Sequence, residues 1–410
     1  MSAAFLSEST ARQLRTLVAL PSLAQSRQVS LESLDPAEAA QKPPQVEDVV
    51  QRLTSALATS NGGGSPVAST NPTEYGRALT VLTQKAAETT RKMHEDPGAP
   101  LTPGDAMALE AVIRADGTRP SFTIRDGIVD PKHQDNPLTG SWGDLIDSTR
   151  STLAAAIRAI GRVEPEHPTA RNYFGTAWVI NTGAGSALTN LHVAEAIWKR
   201  LPHLMERTAR GFRVRGGVYV DFIGEAGNQA SSRFRVIEAV FNPQTDGPGF
   251  TRLDAAVLRL EPASPDQADL PPALGISTNL DGPDGNLASF CTVGFPGPPQ
   301  YFGGLHEGVD WNWVNSTLFG NLYGVKRLAP GLTHRPLGSV QDDARRWIFG
   351  HDITTLGGCS GSPLLNWSEA KPKSFGLHFA GSTLDSNYAH ALGACAGELE
   401  ELGVPTRGPG

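Results

Sequence analysis

The stretch Gly357-Gly358-Cys359-Ser360-Gly361-Ser362-Pro363 decides the reading of this 410-residue chain. Small residues on both sides of Ser360 let the backbone turn tightly, present the hydroxyl and aim the amide N–H groups of Gly358 and Ser360 at one point. A serine hydroxyl attacks carbonyls poorly until a base takes its proton and a carboxylate orients that base. Upstream, Leu188-Thr189-Asn190-Leu191-His192-Val193 offers the base and Leu253-Asp254-Ala255-Ala256-Val257-Leu258 the carboxylate. Residues 187–193 read as a buried strand turning into a short helix over 194–200, which puts His192 at a strand end. Asp254 precedes an apolar run, 255–260, with the pattern of a buried strand, where an unpartnered carboxylate would be poorly solvated. His192 is its natural partner. The order is His192, Asp254, Ser360, with gaps long enough to place each on its own β-hairpin.

Four more fragments fall into line with these. They are Phe174-Gly175-Thr176-Ala177-Trp178-Val179, Val293-Gly294-Phe295-Pro296-Gly297, Thr354-Thr355-Leu356 ahead of Gly357, and Phe375-Gly376-Leu377-His378-Phe379-Ala380-Gly381. Together the segments over about residues 162–403 resemble a trypsin-like serine protease of the double β-barrel fold, closer to the bacterial glutamyl-endopeptidase and HtrA-like branch than to digestive trypsins. The resemblance implies a serine endopeptidase acting on protein or peptide substrates, without cofactor or metal, with His192, Asp254 and Ser360 as the triad. The amides of Gly358 and Ser360 would form the oxyanion hole. Thr354 stands where trypsins carry an acid, so cleavage after Arg or Lys is not expected. Thr355 and His378 match the acid-reading pocket of glutamyl endopeptidases, and Gly381 would offer its backbone to a substrate strand. A second reading of His378, as a satisfied histidine on a strand, stands beside the first. So does a second class of function, a catalytically silent trypsin-like module that captures extended peptides. Cys359 occupies a place where Asp or Asn is common in relatives and reads as a small apolar filler rather than a redox switch. His351-Asp352 has no accompanying zinc spacing and reads as a turn.

Composition bounds the rest. A net charge of −7 gives no general attraction to nucleic acid, and Arg207, Arg210, Arg213 and Arg215 read as the solvated edge of a strand. With 44 Gly and 31 Pro the chain suits a loop-rich β domain plus linkers. Three cysteines, Cys291, Cys359 and Cys395, do not make a disulfide framework, which points to a reducing cytoplasm. The apolar run 16–21 is too short to span a membrane and its flank lacks a basic character, so neither a membrane segment nor a signal peptide is expected.

The front of the chain is different in kind. Residues 5–20, 46–59 and 73–93 carry apolar side chains every three or four positions, the pattern of amphipathic helices, with Gly/Pro-rich linkers at 60–66 and 96–104. A helix over 106–114, a strand over 120–124 and a helix over 142–160 follow. The expected organisation is a helical N-terminal region over 1–105, a connecting helix and strand segment over 106–161, and an all-β double β-barrel protease domain over 162–405. The helical region reads as an adaptor for a regulatory protein partner, as an inhibitory cover, or as simple packing.

Overall fold

The computed structural model describes Lys92 and residues 119–406, less 131–138, 140–141, 243–252, 265–268, 288, 299–304, 307–308, 311, 313, 341–342, 368 and 382–385. The helices expected over 5–20, 46–59, 73–93 and 106–114, and the linkers between them, therefore lie outside the described residues apart from Lys92. What is described is mostly β.

Alternation of side chains along the strands builds two cores at once. In β4 (Gly175–Asn181) Ala177 and Val179 face one cluster while Trp178 and Ile180 face another. In β10 (Ala256–Pro262) Ala256, Leu258 and Leu260 join the first cluster and Val257 the second. Period-two burial on both faces is what a strand does when packed on both sides. These two strands belong to a closed ring with β5 (Ser186–Thr189), β3 (Ile160–Pro165), β8 (Val218–Asp221) and β9 (Arg233–Val240). The order β10-β5-β4-β3-β8-β9 closes on itself through the β9–β10 pairing, making a six-stranded antiparallel barrel. The hairpin β6 (Met205–Thr208) and β7 (Gly211–Val214) extends it from β9; exposed Arg207 lies on the edge strand β6, whereas exposed Arg213 lies on β7 between β6 and β9. Val163, Val179, Val220, Phe234 and Leu258 fill the barrel.

A nine-stranded antiparallel sheet follows. It comprises β1 (Phe122–Arg125), β2 (Ile128–Val129), β11 (Phe290–Gly294), β14 (Arg327–Gly331), β15 (Thr333–Arg335), β16 (Ile348–His351), β17 (Pro363–Leu365), β18 (Ser374–Gly381) and β19 (Asn387–Ala391). Its order is β15-β16-β19-β18-β17-β11-β14-β1-β2. Strands β14 and β15 are separated by Leu332 alone, and Asp352 pins that corner, accepting from the Leu332 amide at 2.8 Å and donating its own amide to Leu332 O at 3.2 Å. Phe290, Phe349 and Phe375 interlock on one face of the sheet, with centroids 5.1 Å apart for Phe290 and Phe375.

The helix expected over 142–160 is α1 (Trp142–Arg158), and the strand expected over 120–124 is β1. Both pack into the same compact unit as the two sheets, Ser121–Pro299, Leu322–Gly381 and Ser386–Gly410. Trp142, Ile146, Leu153 and Ile157 of α1 share one core with Trp178, Val257, Leu328 and Leu365, and the Trp142 ring lies 5.8 Å from that of Trp367. At the helix's end, buried Lys326 donates from Nζ to Ile157 O at 3.0 Å and to Phe222 O at 2.7 Å. Arg327 reaches back from β14 to Ser121 Oγ at 2.9 Å. Helices α2 (Leu191–Arg200) and α3 (Ala396–Glu401) complete this unit. The other unit contributes, among the described residues, the hairpin β12 (Leu305–His306) and β13 (Val309–Asp310).

This packing has a direct test. A chain begun at Arg119 should melt cooperatively by circular dichroism, whereas one begun at Arg162, lacking β1, β2 and α1, should not fold. In the intact chain Trp142→Ala should lower unfolding free energy by about 3–5 kcal/mol. A cooperative melt for the chain from Arg162 would show that the shared core is dispensable.

Candidate active site

His192 sits in the first turn of α2, which begins at Leu191, rather than at the strand end that the sequence suggested. The reason is local: β5 stops at Thr189, and Asn190 adopts extended backbone before the helix begins. Asn190 does not cap that helix with its side chain; it turns Nδ2 to Asp254 O at 2.8 Å. Asp254 stands two residues ahead of β10, outside the ladder. His192 approaches it twice. The His192 amide donates to Oδ1 at 2.9 Å, and Nδ1 lies 2.6 Å from Oδ2. Burial pushes the Asp254 carboxyl up, but hydrogen bonds and charge from His192 outweigh it, so the group ends below its ordinary value. The His192 ring is 41% exposed, open to an incoming molecule.

Ser360 lies in the loop between β16 and β17, on the other sheet. That loop is held through its carbonyls. Gly357 O accepts from the Gly297 amide at 2.6 Å, Gly358 O from Thr176 Oγ1 at 2.9 Å, Cys359 O from the Ser362 amide at 2.9 Å and Ser360 O from the Thr176 amide at 2.8 Å. In a trans peptide the N–H points opposite to the C=O. Fixing the carbonyls of Gly357 and Cys359 therefore fixes the N–H groups of Gly358 and Ser360, which no acceptor among the described residues takes. The loop needs left-handed backbone at Gly358 (φ +95°) and Gly361 (φ +89°), where a Cβ would also strike Tyr173 Oη and Thr176 O respectively. A Cβ on Gly175 would meet Val193 Cγ2 at 2.7 Å and Ser360 O at 3.0 Å. The neighbour of His192 and the carbonyl of Ser360 thus face each other across one glycine.

His378 of β18 runs alongside. Its carbonyl accepts from the Gly361 amide at 2.9 Å and its amide donates to Ser362 O at 3.0 Å. Its ring is buried, with Nδ1 3.2 Å from His351 Nε2. His351 is thus not in a turn but closes strand β16, whose alternation aims it at His378. Burial drives His378 down to about 3, the nearby charge of His192 adding to the fall and a hydrogen bond with the Tyr388 backbone opposing it. Thr355 is half-buried in the Ser360 loop, and no hydrogen bond joins it to His378. Gly381 ends β18 opposite Asn387. Cys359 is buried and its thiol is pushed up to about 12, also by burial. Among the described residues no cluster of three or more His, Cys, Asp or Glu side chains suits a metal ion.

Sequence reasoning passed over Thr176, Asn190 and His351 as supports, although the first two stand inside segments it singled out. It also passed over His390, whose surroundings carry no motif.

No family model matches the chain. A probable serine protease of Lysobacter enzymogenes is 40% identical over 302 residues, which are 73% of this chain and 76% of that protein. Among solved structures, the inactive form of the Rv3671c protease aligns at 16% identity and a TM-score of 0.33, covering 67% of this chain and 96% of that one.

Two measurements test the environment of the site. Cys291, Cys359 and Cys395 are all buried and unpaired, so a thiol reagent should find none of them in the native protein and all three in denaturant. For acid stability, the depressed values of His378 and His390, about 3 and about 4 against 6.5, mean that the unfolded chain binds more protons between those limits. Stability should then be lost as pH falls from about 6.5 toward about 4, read as a falling urea midpoint; a flat midpoint would mean both rings take up protons as readily in the native state as in the unfolded chain.

Proposed function

The chain belongs to the serine proteases, and from that premise we propose that it is a serine endopeptidase using Ser360, His192 and Asp254. The observation that carries this reading is the 2.6 Å contact of His192 Nδ1 with Asp254 Oδ2. It leaves Nε2 of a half-exposed ring as the base. Ser360 Oγ attacks the scissile carbonyl while His192 Nε2 takes its proton; the imidazolium then protonates the leaving amine, and water repeats the sequence to release the acyl group. Asp254 stays ionised throughout, fixing the tautomer and stabilising the imidazolium. The Gly358 and Ser360 amides receive the negative charge that grows on the carbonyl oxygen. Each such donor is worth on the order of 3 kcal/mol in comparable enzymes.

The finer parts of the reading have their own support. The nine-stranded sheet serves as a second barrel because β14 and β15 are one chain bent at Leu332, so that the chain joins the ends of the run β15-β16-β19-β18-β17-β11-β14. An acidic P1 preference rests on His378, anchored through its backbone to Gly361 and Ser362, with Thr355 and Gly381 completing the substrate cleft. A P1 carboxylate would have to compete with His351 and the Tyr388 backbone for that ring. Three free thiols suit a reducing compartment, and we assign the protein to the cytoplasm on that ground. Control of the site belongs, in this reading, to residues 1–105 and a protein partner they recruit. Among the described residues no helix is long and apolar enough to cross a membrane.

A fluorophosphonate probe tests the chemistry. It should label the full chain and not Ser360→Ala, and Ser360→Ala should lower kcat by about a million-fold. Labelling that appears only in the chain begun at Arg119 would make the front region an inhibitor. No labelling in either, with peptide affinity retained, would favour the silent binding module. On peptide libraries cleavage should follow Glu or Asp, and His378→Ala should abolish that preference; cleavage after large apolar residues, unchanged in His378→Ala, would sink the acid pocket.

A further inference from the structure

Asp254 is held at both ends, and one of its holders lies outside the triad. While its carboxylate accepts from His192, its own amide donates to His390 Nε2 at 3.0 Å. His390 belongs to β19, paired with Ile348 of β16 and Leu377 of β18, and is 1% exposed. Its ring stacks on Phe379, with centroids 4.3 Å apart and planes 16° from parallel. Because Nε2 accepts, the neutral ring carries its proton on Nδ1, and Nδ1 has no partner among the described residues. Burying an unpaired donor is unfavourable. A phenyl ring would fill the same space and stack on Phe379 without that cost, so packing alone does not account for a histidine here. Burial moves His390 down to about 4, which keeps Nε2 an acceptor above that value.

We propose that His390 is a positioning residue for the triad: by accepting the Asp254 amide it ties the segment entering β10 to the sheet that carries Ser360, and so fixes the carboxylate under His192. The inference rests on the endopeptidase reading. Asp254 precedes β10, so no ladder bond fixes its peptide plane. The side-chain bond from Asn190 holds its carbonyl, and His390 holds its amide. With the amide released, the Leu253–Asp254 plane can tilt, and the carboxylate with it. Substrate binding does not use that geometry. Proton transfer does, because the imidazolium needs Oδ2 in line with Nδ1.

Two substitutions in the full chain separate this role from packing. His390→Phe keeps the stacked ring and removes the acceptor; His390→Gln removes the ring and places Oε1 near the position of Nε2. The Phe variant should lose about tenfold in kcat with KM nearly unchanged, and the Gln variant should recover most of it. His390→Asn, whose oxygen falls short, is the second non-accepting variant should the Phe chain not fold. The proton magnetic resonance of His192 Nδ1–H, measured in the Ser360→Ala background, should shift or broaden with Phe or Asn and persist with Gln. Full kcat with Phe, or equal losses with Phe and Gln while that resonance stays unmoved, would overturn the proposal. Since the resonance does not depend on turnover, it still judges His390 if the wild-type chain fails to label with fluorophosphonate, the result that would instead count against the endopeptidase reading.

Discussion

Thr176 is the point at which the two sheets are brought into register, and the site depends on that register. Its amide and hydroxyl hold Ser360 O and Gly358 O, while its carbonyl accepts from Thr189 Oγ1 at 2.7 Å, one residue before Asn190. One buried residue of the barrel thus touches both the loop that carries Ser360 and the strand that leads to His192. Separation between the sheets at this point is consequently set by one backbone-to-backbone bond and one short threonine side chain, with no long flexible side chain in either. The glycines at 175 and 361 are what allow such an approach, since a Cβ would strike Val193 and crowd Ser360 O at the first and collide with Thr176 O at the second.

The remaining supports follow from burying polar groups without leaving them alone. Lys326 is fully buried, which lowers it to about 8, and it is tolerated because two carbonyls, one from α1 and one just past β8, receive its protons. Glu164 is 1% exposed and is matched by Arg162 at 2.7 Å and Arg233 at 2.9 Å. Burial raises its carboxyl despite these partners. Removing one member of such a pair leaves the other uncompensated, which makes these groups fasteners more than sources of net stability. Arg162 also lies 5.6 Å from the Tyr173 ring, whose hydroxyl donates to Phe295 O at 2.7 Å beside Gly358. A chain of contacts therefore runs from the barrel's outer charges to the loop that aims the Gly358 amide.

Much of this was legible in the sequence, because the chemistry needs particular residue types in tight turns. Gly358 and Gly361 mark left-handed positions that no other residue fits easily, and an aspartate ahead of an apolar strand calls for a partner. The apolar run 255–260 specified a buried strand, which is β10. What escaped was long-range: nothing in Tyr388-Ala389-His390-Ala391 indicates that the ring meets Asp254, since the contact spans 136 residues and depends on how two sheets face each other. The start of α2 was misplaced because the apolar residues of 187–193 read as strand throughout, whereas β5 stops at Thr189 and the helix begins at Leu191. Local propensity offers the Asn190 side chain to the nearest helix end; tertiary structure gives it to the backbone carbonyl of Asp254. Residues 106–161 were expected as a connecting helix and strand segment; within them α1 supplies a face to a core that it shares with strands of both sheets.

These observations make the loop around Ser360 a preorganised element rather than one assembled by substrate. Four successive carbonyls, from Gly357 to Ser360, are each engaged by a donor, so rotating the peptide that carries the Gly358 or the Ser360 amide would break a bond to Gly297 or Ser362. The cost of aligning these dipoles is thereby met on folding and not during the reaction, which is the condition under which backbone amides stabilise a growing oxyanion most effectively. The same logic applies to Asp254, whose carbonyl, amide and both carboxylate oxygens are all engaged before any ligand arrives. Of the three groups proposed to act, Asp254 is the one fully engaged, while the His192 ring and Ser360 are both partly exposed where they would meet the substrate. In the proposed reading, a held Ser360 loop and a held Asp254 leave the His192 ring open on the side where it would take and return a proton.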